Sequence, residues 1–413
     1  MLKTRYLTYT NFGLVEKWYE DMAKKGWQIE KIILSSIHKF KKAEPEDVRY
    51  KISIAPNEGS FSAFSKNELR DFDEMAGDFG WHLVDRTYNI NIYKLDEGSQ
   101  DSLYNDEKEE IEILNKGIKG EIISLSIIFI LFVFIVFSIT SRFFSRDIFY
   151  SNYTIFMWPA VILFFLFNTL ALGDYILFRK RNKDVKSISD IKFSRLTFSK
   201  AFILLFYTPI ILMVLALGSE FLLPNDGYSD RSLLISLLST LIMFSFVYFY
   251  RKKIKTTNIK RGEKKFILIS MVILISLITS VSMVTLIDKF STSNEVESQV
   301  VGDFIKTRER RSFLTESCDY YFSEKKDLGI RKTVVKSEDL AGNLFERIQK
   351  KASKHDYNAE YVKDITEAYP YDKTYILYYK ENYLILYKNV VLDVSGNLED
   401  DEVQEEIARI LEV

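Results

Sequence analysis

The residue types able to do chemistry are few in these 413 residues. Cys318 is the single cysteine, and His38, His82 and His355 are the only histidines. Neither an internal disulfide framework nor a Cys/His metal centre is therefore expected. Asp174 stands inside an apolar run long enough to cross a bilayer, where a carboxylate is a functional candidate by default. It closely precedes Arg179 and a basic cluster, and pairing with that cluster is the favoured reading. Pro209 lies in the third such apolar run, as a hinge or, by preference, as a tolerated kink. Pro159 is placed in a first helical turn beside an interfacial Trp158. A glycine-rich phosphate loop, a nucleophile elbow, an HExxH and a kinase signature are all missing from the sequence. Enzymatic activity is not expected, and no catalytic residue, cofactor or metal is assigned.

The elements that would position these residues follow from where apolar length and charge fall. Residues 1–120 carry 18 basic against 22 acidic side chains, residues 121–287 carry 19 against 9, and residues 288–413 carry 19 against 26. A basic apolar middle thus lies between two acidic flanks, which argues against nucleic-acid binding by either flank. Five stretches approach the ~20 apolar residues needed to cross a hydrocarbon core. They are 122–140, 155–178, 201–218, 233–250 and 266–287. The loops after the second and fourth carry eight Lys/Arg each, and the loops opposite carry two and one. By the positive-inside rule the N-terminus is cytosolic and, with five spans, the C-terminus is extracytoplasmic. The N-terminal Met-Leu-Lys-Thr-Arg-Tyr has no apolar run behind its charges and does not read as a signal peptide.

Residues 1–95 read as strand, helix, strand, strand, helix, strand, with one extended run at Trp27–Ile33 reaching toward Phe40 and another over Trp81–Leu95. Met22-Ala-Lys-Lys-Gly26-Trp27 and Met75-Ala-Gly-Asp-Phe-Gly80-Trp81 each close a helix and open a strand. In this reading Met-Ala packs the helix, Gly supplies a left-handed cap and Trp anchors the next strand. A doubled unit of this kind predicts an α+β ferredoxin-like βαββαβ domain. Trp27 and Trp81, of the glycine-tryptophan pairs, are assigned to the core in preference to a ligand groove.

The array Trp18, Met22, Gly26-Trp27, Phe40, Tyr50, Gly80-Trp81 and Ile92-Tyr93 resembles the bacterial domain of unknown function numbered 2812, over about the first hundred residues. The closing Tyr93-Lys94 departs mildly from that family's pattern. The resemblance implies a soluble domain followed by membrane helices. It also implies a leaning toward signalling, since many members are encoded near small winged-helix regulators of the phenolic-acid-repressor type. It brings no activity and no catalytic residues.

Residues 96–120 read as an acidic linker with a juxtamembrane helix, 288–311 as a polar stalk, and 312–413 as a small α+β domain with Cys318 buried in a strand. The whole then predicts a membrane-bound sensor or regulatory protein. Its outer domain or its helical bundle senses, and its inner sandwich docks a cytosolic regulator. An accessory or immunity-type protein binding a transporter or antimicrobial peptide is the alternative. Transport is the weaker one, because five spans cannot form two equal repeats. The partners expected are the lipid bilayer and a cytosolic or membrane protein.

Overall fold

The computed structural model describes residues 1–33, 36–54, 66–87, 90–95, 107–222, 298–308, 312–355, 362–377 and 382–411. They fall into two compact units. The first comprises the described residues within Met1–Phe134 and Ile162–Ile210; the second is built mainly from Ile135–Val161 and the described residues from Ser298 onward.

The first unit begins with β1 (Leu2–Thr4), α1 (Phe12–Ala23), β2 (Trp27–Ile33) and β3 (Ile37–Lys42). It continues with β4 (Tyr50–Ile54), α2 (Lys66–Asp78), β5 (Trp81–Thr87) and β6 (Ile90–Leu95). The strands form two three-stranded antiparallel sheets, ordered β1-β3-β2 and β4-β6-β5. The domain is therefore a tandem βαββ repeat, which corrects the ferredoxin-like βαββαβ expectation. Each extended run that reads as one strand folds back as a hairpin, β2–β3 and β5–β6.

The repeats match in detail. Trp27 opens opposite Lys42 and Trp81 opposite Leu95, and each hairpin slips register by one residue at the same distance from its Trp, between Ile29 and Lys31 and between Leu83 and Asp85. Such a bulge re-aims the side chains beyond it. Gly26 and Gly80 cap α1 and α2 at φ +78° and +83°, in the left-handed region that glycine enters without steric cost. The edge strands β2 and β5 meet where the Ile32 amide donates to Asp85 Oδ2 at 2.6 Å.

Three long helices follow: α3 (Glu107–Phe143), α4 (Asn152–Arg181) and α5 (Lys200–Leu222). By length and composition α3 and α4 can cross a membrane, whereas the apolar part of α5, Lys200–Ala216, is shorter. A five-helix transmembrane bundle is thus not the architecture of the described residues, in which large antiparallel sheets stand beside two candidate spans. The fourth and fifth expected spans lie outside the described residues. Pro159 sits two turns inside α4 rather than in its first turn, and Pro209 lies inside a continuous α5.

In the second unit an eight-stranded antiparallel sheet runs in the order β11-β12-β13-β14-β10-β9-β8-β7. Its strands are β7 (Ser298–Val301), β8 (Phe304–Arg308), β9 (Thr315–Ser323), β10 (Leu328–Val335), β11 (Lys363–Asp364), β12 (Lys373–Ile376), β13 (Asn382–Tyr387) and β14 (Val390–Ser395). The β7–β8 hairpin belongs to this sheet, so residues 298–308 are not the stalk that their polarity suggests. Alternation along the strands feeds two cores. Leu384, Leu386 and Val391 pack with α6 (Glu338–His355); Tyr383, Ile385, Leu392 and Val394 pack with α7 (Asp401–Leu411). The α6 core also takes Ile148 and Phe149 from the loop between α3 and α4.

Candidate functional site

The first repeat carries more than its own core. After β1 the chain makes a short 3-10 turn at Tyr9–Asn11, closed by the Thr8 amide donating to Asn11 Oδ1 at 3.1 Å. That turn presents hydroxyl and amide groups to Asp174 of α4, which is 4% exposed. The Thr10 hydroxyl donates to Asp174 Oδ2 at 2.7 Å, and the Ser194 hydroxyl donates to Oδ1. Asn11 Nδ2 donates to the Tyr6 carbonyl at 2.8 Å and to Thr197 Oγ1 at 3.2 Å. The Thr10 and Thr197 hydroxyls lie 3.2 Å apart, and the Ser194 amide donates to the Thr10 carbonyl at 2.7 Å. Hydroxyls thus replace water around a buried carboxylate, as a satisfied buried acid requires.

Arg179 is not Asp174's partner; it is exposed. Five residues on an α-helix turn through about 140°, so the two side chains leave opposite sides of α4. The nearest charge in sequence is the wrong one, and the true partners come from residues near 10 and 194.

Aromatic contacts reinforce the junction. Tyr6 meets Phe167 of α4 and Phe202 and Phe206 of α5, with ring centroids 5.4–5.7 Å apart. Trp18 packs on Tyr19, His38 and Phe40 and reaches Phe198 beyond α4. The Arg5 guanidinium lies 5.7 Å from the Trp18 ring and 4.9 Å from Phe198, within cation–π range. Ser36 and Tyr207 share a hydroxyl hydrogen bond of 2.5 Å. Beneath this layer His38, fully buried, sits between the Tyr19 hydroxyl at 2.7 Å on Nδ1 and the Arg5 carbonyl at 2.8 Å on Nε2. The carbonyl fixes a proton on Nε2, so Nδ1 accepts from Tyr19. Burial lowers the His38 pKa to about 4.

The remaining residues singled out from the sequence divide between scaffold and junction. Met22 and Trp81 are buried, whereas Trp27 and Met75 are half-buried. Gly26 and Gly80 are the caps already described. Pro209 is buried in α5. The junction thus brings Trp18 and Asp174 into one contiguous layer, and leaves Gly80 and Trp81 in the second repeat.

Residues 12–125 match the model of a family described as Protein of unknown function (DUF2812). The match supports the resemblance read from the aromatic and glycine array. The DUF2812 stretch opens with α1 and closes inside α3, so the family unit contains both helices of the repeats and the first turns of a candidate span. No curated protein and no solved structure gave a significant match to the chain.

Three functional-looking residues of the DUF2812 stretch went unread in the sequence: Glu16, Lys51 and Glu110. Lys51 of β4 and Glu110 of α3 form an ion pair of 2.6 Å with both side chains under one-fifth exposed. Glu16 Oε1 accepts the Ile52 amide at 2.7 Å. Burial pushes the Glu16 pKa up to about 7, against the pull of Lys51 and the Ile52 amide. A signal for Glu16 was there. It falls between Phe12, Val15 and Tyr19 on the apolar stripe of α1, where an acid is out of place. Among the described residues no group of three or more His, Cys, Asp or Glu side chains can hold a metal.

Proposed function

We propose that this is a membrane-bound sensory or regulatory protein, in which the DUF2812 unit is the cytosolic docking module and the eight-stranded unit is the extracytoplasmic one. One observation carries the reading: both helices able to cross a bilayer have their ends built into folded cores. Ile118 of α3 and Tyr175 and Phe178 of α4 belong to the core of the first unit. Ile148 and Phe149, from the segment joining the two helices, belong to the core of the second. Ser312 Oγ donates to the Phe149 carbonyl at 2.7 Å, the Phe313 amide donates to Asn152 Oδ1 at 2.7 Å, and Arg347 donates to the Phe143 carbonyl at 2.8 Å. A ligand or stress that repacks either core must act on the same two helices, which is what transmission requires.

Sidedness rests on the same packing. The basic loop following α4 packs with the DUF2812 repeats, and the positive-inside rule assigns that loop to the cytosol. The apolar surface of α3 also fits a lipid environment. Phe134 and Phe137 are 70% and 78% exposed, and the apolar stretch has none of the burial expected of a soluble core helix.

Two experiments test the proposal. A cysteine at exposed Glu399 should react with a membrane-impermeant maleimide in intact cells, and one at exposed Lys17 only after lysis; buried Cys318 should stay silent in both. A photocrosslinker at Lys17 should then capture a discrete cytosolic partner, with a yield that changes when Ser312→Ala loosens the Phe149 contact. Labelling of Lys17→Cys in intact cells, or absence of any specific adduct, would sink the reading.

A further inference from the structure

An open cleft of about 500 Å³, counting the solvent at its mouth, is cut into the first unit between α1, β4, the first turns of α3 and the loop following α4. Its charged groups are Glu16, Lys51 and Glu110, beside Ser53, and its apolar walls include Phe12, Ile54, Leu114, Ile191 and Phe193. The Phe193 ring lies directly on Gly13, where an added Cβ would collide with it, so the loop wall is closely seated on α1.

We propose that this cleft binds a small hydrophobic cation, an organic ammonium whose charge rests on Glu16 and whose apolar body lies against Phe12, Leu114, Ile191 and Phe193. Charge balance carries the choice. Lys51 is already neutralised by Glu110 at 2.6 Å, with both side chains largely out of water. An anionic ligand would have to break that pair, at the cost of leaving a carboxylate uncompensated. Glu16 also attracts Lys51, but that single ammonium is shared with Glu110, so the two carboxylates and one lysine keep one negative charge in excess. One Glu16 oxygen is taken by the Ile52 amide, and the other is left for a ligand. A pair of carboxylates sharing one ammonium on an apolar wall, with one negative charge in excess, is the complement of a cation with an apolar body. The titratable groups around Glu16 are Lys51 on β4, Glu110 on α3 and Glu20 on its own helix, and two of these three are acidic. A pKa for Glu16 pushed up by burial to about 7 in spite of Lys51 agrees with this: the shared lysine does not hold the carboxylate fully ionised.

The inference does not rest on the sensory reading; a partner crosslink and a filled cleft are separate results. Full-length protein in detergent is titrated calorimetrically with phenyltrimethylammonium, with neutral tert-butylbenzene and with anionic 3-phenylpropionate, each against a detergent blank. Saturable binding of the permanent cation is expected, at least tenfold tighter than the neutral isostere, with no binding of the anion. Because the ligand's charge does not change with pH, its affinity should rise about tenfold from pH 6 to pH 8 as Glu16 ionises. Glu16→Gln should remove both the preference for charge and the pH dependence, and Glu16→Asp should keep them. Equal affinity for cation and neutral isostere, an unaffected Glu16→Gln variant, or no saturable binding at millimolar ligand would each overturn the proposal. Tryptophan fluorescence of each variant separates loss of the site from loss of the fold.

Discussion

The two βαββ repeats share a scaffold and differ in what surrounds it. Both close their helices on a left-handed glycine, enter the next strand on tryptophan and slip register at the same step. Yet α1 buries Phe12, Val15, Tyr19, Met22 and Ala23, whereas among the described side chains of α2 Ala76 is buried and Phe72 and Met75, with Phe79 just beyond, are half-covered. The reason is tertiary. The large core holds α1 with strands of both repeats (Ile29, Ile32 and Phe40 with Ile52, Ile54, Ile90 and Ile92), α3, α4 and the loop that follows, whereas α2 relies on a small core of Ala76, Trp81, Tyr93 and Leu95. Equivalent positions have diverged accordingly. His38, bonded to Tyr19 and Arg5, corresponds to Asn91, bonded by Arg86 at 2.6 Å. Glu16 corresponds to Leu69. Duplication supplies a backbone, and burial against new neighbours decides which copy acquires chemistry.

The sharpest way to break this comparison is to cut the anchor of each repeat. Trp81 is 2% exposed in the small second core, so Trp81→Ala should cost about 3–5 kcal/mol and unfold β5 and β6 locally. Trp27 is half-buried at the margin of the larger core, and Trp27→Ala should cost about 1–2 kcal/mol. Hydrogen exchange followed by peptide in the full-length protein reads the two repeats separately; equal losses would mean that the cores do not differ as described.

Acid should separate the repeats next. His38 is held neutral when folded, with a pKa of about 4 against 6.5 when free. Its contribution is complete above pH 6.5 and is lost as pH falls toward 4. Repeat one should therefore lose about 2 kcal/mol on going from pH 7 to pH 5. Repeat two has Asn91 in that place and should not share the loss. His38→Asn should flatten the difference, and a repeat-one exchange rate independent of pH in wild-type protein would refute it.

Glu16 has the opposite sign. Its folded pKa is raised from 4.5 to about 7, so its favourable contribution is complete below pH 4.5 and is lost as pH rises through 7. Allowing for its partial exposure, Glu16→Gln should stabilise repeat one by about 1–2 kcal/mol at pH 8 and do nothing at pH 4.5. Gln keeps the acceptor for the Ile52 amide, so the difference between the two pH values isolates the charge. Stabilisation of equal size at both would show that charge is not the cause.

How much of this the sequence discloses depends on whether the signal is local. The caps, the paired Met-Ala…Gly-Trp segments and the apolar stripe of α1 are local patterns, and they read correctly. The hairpin turns do not, because no Asn-Gly or Gly-rich pair punctuates the runs after Ile33 and Thr87. Two continuous strands then fit the pattern as well as four, and the ferredoxin-like expectation followed. The β7–β8 hairpin was hidden by its polarity, since an edge pair with Val300 80% exposed looks like a stalk. Asp174 was the hardest case. Its position in an apolar run was plain, but its hydroxyl partners, Thr10 at 164 residues and Ser194 at 20 residues along the chain, cannot be inferred from the nearest charge. Apolar length alone also counted spans where the described helices offer two.

The smallest effect tests the shared scaffold itself. If the repeats are one backbone used twice, an alanine at either cap meets the same left-handed strain, and Gly80→Ala should cost about 1 kcal/mol. Gly26→Ala should cost somewhat more, because its Cβ would also stand 2.9 Å from the Ala43 carbonyl, to which no flexible side chain can yield. Asparagine, which tolerates positive φ better than alanine, should recover part of the loss at Gly80 but less at Gly26, where the carbonyl contact persists. Urea-dependent exchange of α1 and α2 peptides measures both. A silent Gly80→Ala would mean that the second cap is not held in its left-handed state, and the equivalence of the two repeats would fail at its most local point.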